Sequence, residues 1–501
     1  MKLVEILAKT KTQYAIKQDI SGLENISIED ISIDSRLINH EKNTIFFALV
    51  GKNSDGKKFA ASAIEKGAKV IVSNEFFDDK NIISIQVENP FIFLVECLKI
   101  FYNPLPANIY AVTGTNGKTS VAEFIRQILG LLGKKSASIG TLGVVCDEVI
   151  KSKLASSALT TPDIVSLYKN LAILKENNID DVAIEVSSIG LEQARIAGLQ
   201  ISVAGFTNFT QDHLDYHKTM EEYFFSKMLL FEVVLKNGSP TVLNADSAEF
   251  VKIRRMCQNK KHHIFEYGFK AADLKIIEIK QENNCQIATF ECGGKKHEIT
   301  LNVAGEFQVY NVLCALGMTM AKHYLDEEKF TQLLEKFSSL KTADGRMQKV
   351  AVLPNGAQVF IDFAHSPDAL ENVLKLAKNL EHHRVGVLFG CGGNRDATKR
   401  PLMGKIACTH ADFVIATDDN PRNEDASVIR KEILQGCDMT KTVEIADRKY
   451  AIEKALQMLQ INDILILAGK GHEKYQIIGD KKSEFDEEKI VAEILNKLIQ
   501  K

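Results

Sequence analysis

The chain has 501 residues, 45% of them apolar and 25% charged, with a formal net charge of −3. That length exceeds what one hydrophobic core supports, so three domains are expected, and the near-neutral balance excludes a global basic field for nucleic acid or an anionic membrane. Nine scattered cysteines without a Cys-x-x-Cys pair argue for free thiols in a reducing compartment and against a zinc site. The start, Met1-Lys2-Leu3-Val4-Glu5, lacks a signal pattern, and no apolar run approaches the ~18 residues of a membrane span. A cytoplasmic protein with no membrane span is expected.

In chain order, the first hundred residues mix short strand-like runs (44–50, 68–72) with a helical stretch over 59–66. Pro104 and Pro106 mark a linker. An apolar strand over 109–112 then meets Thr113-Gly114-Thr115-Asn116-Gly117-Lys118-Thr119, which opens an amphipathic helix over 121–125. Strand, glycine-rich turn and helix in that order build a phosphate cradle. The turn's N–H groups and the helix start face the anion, Lys118 reaches the terminal phosphates, and the Thr119 hydroxyl is a ligand for Mg²⁺. The loop departs from the standard P-loop pattern, which needs a glycine where this chain has Val112. ATP or a similar nucleotide is the expected ligand. Strands over 182–186 and 201–206 and a helix over 311–322 continue an α/β alternation to about residue 340, which predicts a mostly parallel, doubly wound sheet. A third α/β block begins near residue 350, with strands over 358–362, 384–389, 413–416 and 464–468. The charge-rich stretch 481–488 reads as a solvated turn.

Open α/β sheets place their sites at the C-terminal ends of strands, and polar clusters stand at several of those ends. Glu185, inside an apolar run, is either half of a buried ion pair or a Mg²⁺ ligand, and the upstream phosphate loop favours the metal. The stretch 207–217 holds Asp212, His213, Asp215 and His217. It is a solvated acidic turn or a second metal or phosphate station, with His213 or Asp212 as ligand. Lys227, alone on an apolar stretch, is a snorkelling side chain by default and a chemically modified one otherwise. In the last block, stretches 362–367, 390–396, 418–422 and 469–473 all end strands and offer Arg395, Arg422, Lys470 and Glu473. Each alone could be a plain turn. Together their opposed charges suit a zwitterion, with arginine gripping carboxylate and Glu473 receiving ammonium.

The phosphate loop, Glu185-Val186-Ser187-Ser188, the stretch 208–217, Asp362-Phe363-Ala364-His365, Phe389-Gly390-Cys391-Gly392-Gly393, Lys399-Arg400-Pro401-Leu402-Met403 and Gly469-Lys470-Gly471-His472-Glu473 stand in the order found in Mur ligases. Over nearly its whole length the chain resembles that family, and within it the MurE type. The resemblance implies an α/β protein of three domains: an N-terminal UDP-binding domain (1–105), a central P-loop-like ATPase domain (106–341) and a C-terminal Rossmann-like, amino-acid-binding domain (342–501). It implies ATP-dependent addition of meso-diaminopimelate to the D-Glu γ-carboxylate of UDP-MurNAc-L-Ala-D-Glu through an acyl phosphate, in peptidoglycan precursor synthesis. A monomer is expected, with no nucleic-acid partner.

Carried over position by position, the resemblance makes Lys118, Lys227 and His213 catalytic. Two Mg²⁺ ions are implied, one held by Thr119 and Glu185 and the other by His213. Lys227 matches a lysine carried as a carbamate (N6-carboxylysine), which replaces the snorkelling default. Gly114, Thr115, Asn116, Gly117, Lys118 and Thr119, with Asn311, Arg346 and His365, match nucleotide contacts. Ser35, Lys52 and Asn53 match the uridine end, and Thr160, Thr161, Ser187 and Arg195 the muramoyl-dipeptide and diphosphate. Asp419, Asn420, Pro421 and Arg422 match the form that reads diaminopimelate, whose second carboxylate Arg422 would grip, with Arg395, Gly469 and Glu473 completing the pocket. Gln308 stands where many members have Asn, Phe363 where Tyr is usual, and Lys52 where some have His. Folylpolyglutamate synthases share the phosphate loop and the acyl-phosphate chemistry, but not Asp-Asn-Pro-Arg or Gly-Lys-Gly-His-Glu. A nucleotide-driven switch would need no zwitterion pocket.

Overall fold

A computed structural model of the chain describes residues 1–17, 20–51, 55–79, 81–155, 159–282, 285–303, 305–380 and 382–499. It divides into two compact units, the first of Met1–Lys118, Ile125–Phe265 and Leu316–Tyr324, the second of Thr119–Phe124, Glu266–Ala315 and Leu325–Lys501.

In the first unit, β1 (Tyr14–Ile16), β2 (Asp30–Ser32), β3 (Thr44–Phe47), β4 (Ala68–Ser73) and β5 (Ile83–Val87) form a sheet in the order β1-β5-β4-β3-β2, parallel except for β1. The strand expected over 44–50 closes at Phe47, and the expected helix is Ala60–Glu65 behind a 3₁₀ turn. A second sheet holds β6 (Asn108–Thr113), β7 (Ser136–Gly140), β8 (Gly143–Val145), β9 (Asp181–Glu185), β10 (Val203–Phe206), β11 (Pro240–Asn244) and β12 (His263–Gly268), in the order β12-β11-β10-β6-β9-β7-β8. Strands β6 and β9 are buried along nearly their whole length, as their unbroken apolar runs require of a strand covered on both faces. Parallel register pairs Val112 with Glu185, Thr113 with Phe206 and Ile139 with Ile184. The loops after β6, β7, β9 and β10 therefore leave from one level edge.

The second unit begins with an antiparallel meander of β13 (Leu274–Glu282), β14 (Cys285–Cys292) and β15 (Lys295–Leu301). The α/β alternation expected up to residue 340 misses it. Its signal is a period of two, with Leu274 and Ile276 buried and Lys275 and Ile277 exposed, and a turn at Gly293-Gly294 with φ of 57° and 77°. The main sheet comprises β16 (Gln348–Val352), β17 (Gln358–Asp362), β18 (Val385–Phe389), β19 (Phe413–Ala416), β20 (Thr442–Glu444) and β21 (Ile464–Ala468), ordered β16-β17-β21-β18-β19-β20 and parallel apart from β16. Ile464, Ile466 and Ala468 join one core with Leu370 and Met403, while Leu465 and Leu467 join another with Ile452 and Ile490. The sheet is thus doubly wound. Asp362 and Phe389 both pair with Ala468, and Phe389 with Ala416, so the four polar stretches read from the sequence leave this sheet at one level.

The solvated turn expected over 481–488 is corrected. Lys481–Glu484 is strand β23, exposed yet paired with β22 (Tyr475–Ile478), and Glu487 is buried against Arg448, whose Nε donates to it at 2.7 Å. Backbone bonds, which charge counting does not register, hold that hairpin. Among the described residues, no helix is long and apolar enough to cross a membrane.

Candidate active site

The first unit gathers a phosphate-loop cluster. Gly114 leaves β6 with φ 147°, and a Cβ there would meet the Thr207 hydroxyl at 1.9 Å, so only glycine allows this approach. The loop after β10 grips the turn from the side: Thr115 N–H donates to the Asn208 carbonyl at 2.8 Å, Asn116 N–H to Asn208 Oδ1 at 2.9 Å, and the Thr207 hydroxyl to the Asn116 carbonyl at 2.6 Å. The Lys118 ammonium donates to the carbonyls of Gly114 and Thr115 at 3.0 and 2.7 Å. Lys227, on helix Met220–Leu229, donates to the same Gly114 carbonyl at 2.8 Å and lies over the Tyr223 ring. It is 1% exposed, so it does not snorkel. Burial, and then the Lys118 charge, hold its amine well below the usual lysine range. The two lysine nitrogens share one carbonyl oxygen, which brings the Lys118 charge close to Lys227.

Glu185 ends β9 at 2% exposure, and its carboxylate accepts the Thr141 N–H at 2.8 Å and the Thr141 hydroxyl at 3.2 Å. It lies so close to Gly140 that a Cβ there would stand 2.0 Å from Oε1. Next to it, the Thr161 hydroxyl donates to the Glu185 carbonyl at 3.0 Å and sits 3.1 Å from the Ser187 hydroxyl, while the Thr160 hydroxyl is 3.2 Å from that of Thr141. Arg195 donates to the Thr161 carbonyl at 2.7 Å. One network therefore joins Thr160, Thr161, Glu185, Ser187 and Arg195. His213 is half exposed, with a left-handed backbone and its Nε2 3.6 Å from Asp212. The buried histidine of the stretch 207–217 is His217, whose ring nitrogens lie 2.9 Å from the Ser188 hydroxyl and 3.1 Å from the Ser226 hydroxyl. Burial lowers its pKa, and it ties the Glu185–Ser188 segment to the Lys227 helix.

The second unit holds two clusters at the strand ends. In one, Phe363 makes tilted ring contacts with His365 and His472, at 4.6 and 5.0 Å between centroids, with the Arg346 guanidinium over its ring. Burial, and then Arg346, push the His472 pKa down to about 4. In the other, the Asn420 amide donates to Glu473 at 2.8 Å and accepts from Lys470 at 3.1 Å and the Ile477 N–H at 3.0 Å. The Glu473 pKa is raised, chiefly by burial and then by the Asp419 charge. Arg422 donates to the Gly393 carbonyl at 2.9 Å. Gly469, at φ 110°, packs so that a Cβ would lie 2.8 Å from Asp419 Oδ2, and Arg395 is exposed beside Gly392.

The Mur ligase middle domain model matches residues 112–319, and the model of the Mur ligase glutamate ligase domain matches residues 345–471. A Rickettsia montanensis protein named UDP-N-acetylmuramoyl-L-alanyl-D-glutamate--2,6-diaminopimelate ligase is 40% identical over 472 residues, 93% of this chain and 95% of its own. The chain belongs to the Mur ligase family. A solved structure of a ligase of that same name is 30% identical with a TM-score of 0.66, covering 96% of this chain and 97% of its own. A folylpolyglutamate synthase of Mycobacterium tuberculosis, solved with ADP and AMPPCP, shares the fold at TM-score 0.57 and 17% identity, over 75% of this chain and 91% of its own.

This Mur ligase chain also buries Asn311, Ser35 and Thr119, three more of the positions read from the sequence. Asn311, on helix Glu306–Met320, is buried and donates to Gln308 Oε1 at 3.0 Å, while Gln308 Nε2 is buried without a hydrogen-bond partner. Ser35 is buried in the 3₁₀ turn Ser35–Leu37. Thr119 is buried as the second residue of helix Lys118–Leu131. Lys52 and Asn53 lie outside the described residues. Sequence reasoning missed His217, Thr141 and His472 as site residues. His217 lies in the polar stretch 207–217 and His472 in Gly469-Lys470-Gly471-His472-Glu473, but neither is set apart by its sequence neighbours, and Thr141 is found only through a contact made across the fold.

Proposed function

We propose that the chain is an ATP-dependent ligase that joins meso-diaminopimelate to the D-Glu γ-carboxylate of UDP-MurNAc-L-Ala-D-Glu, a step of peptidoglycan precursor synthesis in the cytoplasm. The observation that carries the choice of amino acid is the single hydrogen-bonded unit of Asn420, Glu473, Lys470 and the Arg422 loop. It offers a carboxylate to an ammonium and a guanidinium to a second carboxylate. The name of the Rickettsia relative and the Asp419-Asn420-Pro421-Arg422 motif support the same substrate.

The chemistry runs in two displacements. A γ-carboxylate oxygen of the glutamyl residue attacks the γ-phosphorus of ATP, and ADP leaves with the bridging oxygen. The diaminopimelate amine then attacks the acyl phosphate carbon, and inorganic phosphate leaves as the amide forms and the amine proton is released. Lys118 and the N–H groups at the start of helix Lys118–Leu131 stabilise the phosphates during the first step, the Thr115 and Asn116 N–H groups being held by Asn208. Arg422 and Glu473 orient the amine for the second.

Oxygen donors suit Mg²⁺: Glu185 is a buried carboxylate that accepts from the Thr141 N–H and hydroxyl, and the Thr119 hydroxyl is buried at the start of its helix. His213 fits less well, being half exposed and paired with Asp212, and among the described residues no three His, Cys, Asp or Glu side chains converge on one point. Bound Mg²⁺ would supply charge neutralisation at the phosphates. A neutral Lys227 amine is the form that attacks carbon dioxide, giving a carbamate and a proton, which supports N6-carboxylysine at this position. Gln308 Nε2, unpartnered among the described residues while its Oε1 accepts from Asn311, supports a hydrogen-bonding role toward the adenine. The strands of 14–87 and those of 348–468 each form a sheet of their own, in keeping with domain boundaries at 105/106 and 341/342.

The test is phosphate release from ATP with UDP-MurNAc-L-Ala-D-Glu, comparing meso-diaminopimelate with L-lysine. Release with diaminopimelate alone is the expected result. Release with lysine alone removes Arg422 from the specificity argument, and release independent of any amino acid returns the chain to a nucleotide-driven switch.

A further inference from the structure

Arg422 has a φ of 52°, a left-handed backbone that is strained for a non-glycine residue and persists only where neighbours hold it. What holds it is the hairpin β22–β23. Arg422 N–H donates to the Ile477 carbonyl at 3.1 Å, and the Arg422 carbonyl accepts from Gly479 N–H at 2.7 Å. The same hairpin clasps the preceding residues, since Gln476 Nε2 donates to the Asp419 carbonyl at 2.8 Å and Ile477 N–H to Asn420 Oδ1 at 3.0 Å. At its base lies Lys470, 0% exposed, donating to the Tyr475 carbonyl at 2.8 Å and to Asn420 Oδ1 at 3.1 Å.

Both partners of Asn420 Oδ1 are donors only, so the amide has one orientation, and its NH₂ must face Glu473. The Lys470 cation also stands among the Asp419 and Glu473 carboxylates, whose mutual repulsion it offsets. We propose that Lys470 and the hairpin Tyr475–Glu484 are the positioning device of the amino-acid subsite, holding Glu473 and Arg422 at the spacing that accepts the ammonium and the distal carboxylate of the incoming amino acid. Lys470 acts through Asn420 and Tyr475 and touches no substrate. The proposal rests on the ligase reading above.

The experiment is steady-state phosphate release by Lys470→Met and Gln476→Ala, with KM taken separately for amino acid, ATP and the UDP-dipeptide. Lys470→Met is expected to raise the amino-acid KM roughly 10- to 100-fold, the scale of a hydrogen bond to a charged group. The other two KM values and kcat at saturating amino acid should stay within about threefold. Gln476→Ala, partly exposed and so tolerant of truncation, is expected to raise the amino-acid KM by about 3- to 10-fold, the scale of a neutral hydrogen bond. Unchanged amino-acid KM in Gln476→Ala, or a rise shared by all three substrates in either variant, overturns the proposal. Should Lys470→Met fail to fold, the Gln476→Ala outcome alone decides. Failure of the ligase reading is seen separately, as a wild-type chain that releases no phosphate with any amino acid.

Discussion

Lys227 and Lys470 are equally buried, at 1% and 0% exposure, one on a helix beside the phosphate loop and the other in a glycine turn at a strand end. Around Lys227 stand a carbonyl it shares with Lys118, an aromatic ring, and only a minor opposing pull from Asp212. Around Lys470 stand an amide oxygen, a carbonyl, the charges of Asp419, Glu487 and Glu473, and the like charge of Arg448. Burial lowers the pKa of both, but the largest neighbouring charge is a like one, Lys118, at Lys227 and an opposite one, Asp419, at Lys470, where it outranks the like charge of Arg448. The first becomes an amine able to react, and the second a cation able to brace. Burial alone does not tell a reagent from a strut. The sign of the neighbouring charge does.

The largest test concerns the charged setting behind Lys470. Arg448, 1% exposed, donates to Glu487 at 2.7 Å and to the Ala468 carbonyl at 2.9 Å. Arg448→Met strands a buried carboxylate and should cost about 3–5 kcal/mol in denaturant unfolding. A loss under about 1 kcal/mol would mean that the setting is not fixed by this pair. Next, Lys227→Ala should lower turnover roughly 100- to 1000-fold, the range for losing one preorganised group at a transition state, with partial recovery from added small carboxylates. Turnover equal to wild type would break the comparison at its reactive end. In the same vein, ¹³C-labelled bicarbonate should yield a carbamate NMR signal that Lys227→Ala loses and Lys470→Met keeps.

Arg422→Ala should cost about 1.5–3 kcal/mol in kcat/KM for diaminopimelate, read by phosphate release. Kinetics indistinguishable from wild type would sink the carboxylate-grip argument. The smallest effect is expected at His472, which is pushed down to about 4 from an unfolded value near 6.5. Between those values the unfolded chain binds the proton first. The histidine's contribution is therefore complete above about pH 6.5 and is lost as pH falls toward 4, about 2 kcal/mol of it by pH 5. Comparing wild type with His472→Gln by unfolding at pH 7 and pH 5 isolates it, and parallel curves would show that the ring is not held neutral.

The phosphate loop was legible because its parts are consecutive: strand, glycine turn, lysine and helix follow one another from Asn108 to Leu131. The polar stretches after β17, β18, β19 and β21 were legible for a similar reason, since a parallel sheet in register turns position in the chain into position along one edge. His217 was not legible, because its partners Ser188 and Ser226 are 29 and 9 residues away and nothing local distinguishes it from His213. Thr141 reaches Glu185 across 44 residues, and the role of Lys470 depends on a hairpin whose second strand reads as mere charge. The meander over 274–301 was passed over because its alternation buries only one face, a weaker pattern than the unbroken runs on either side.

Gly140 carries no chemistry, yet the Glu185 carboxylate rests where its Cβ would be. In a saturation scan, position 140 would then read as intolerant as position 185, with alanine as damaging as larger residues. Such a column of lost variants is the imprint of a functional group cast on a residue that has none, and a ranking by side-chain reactivity would pass it by.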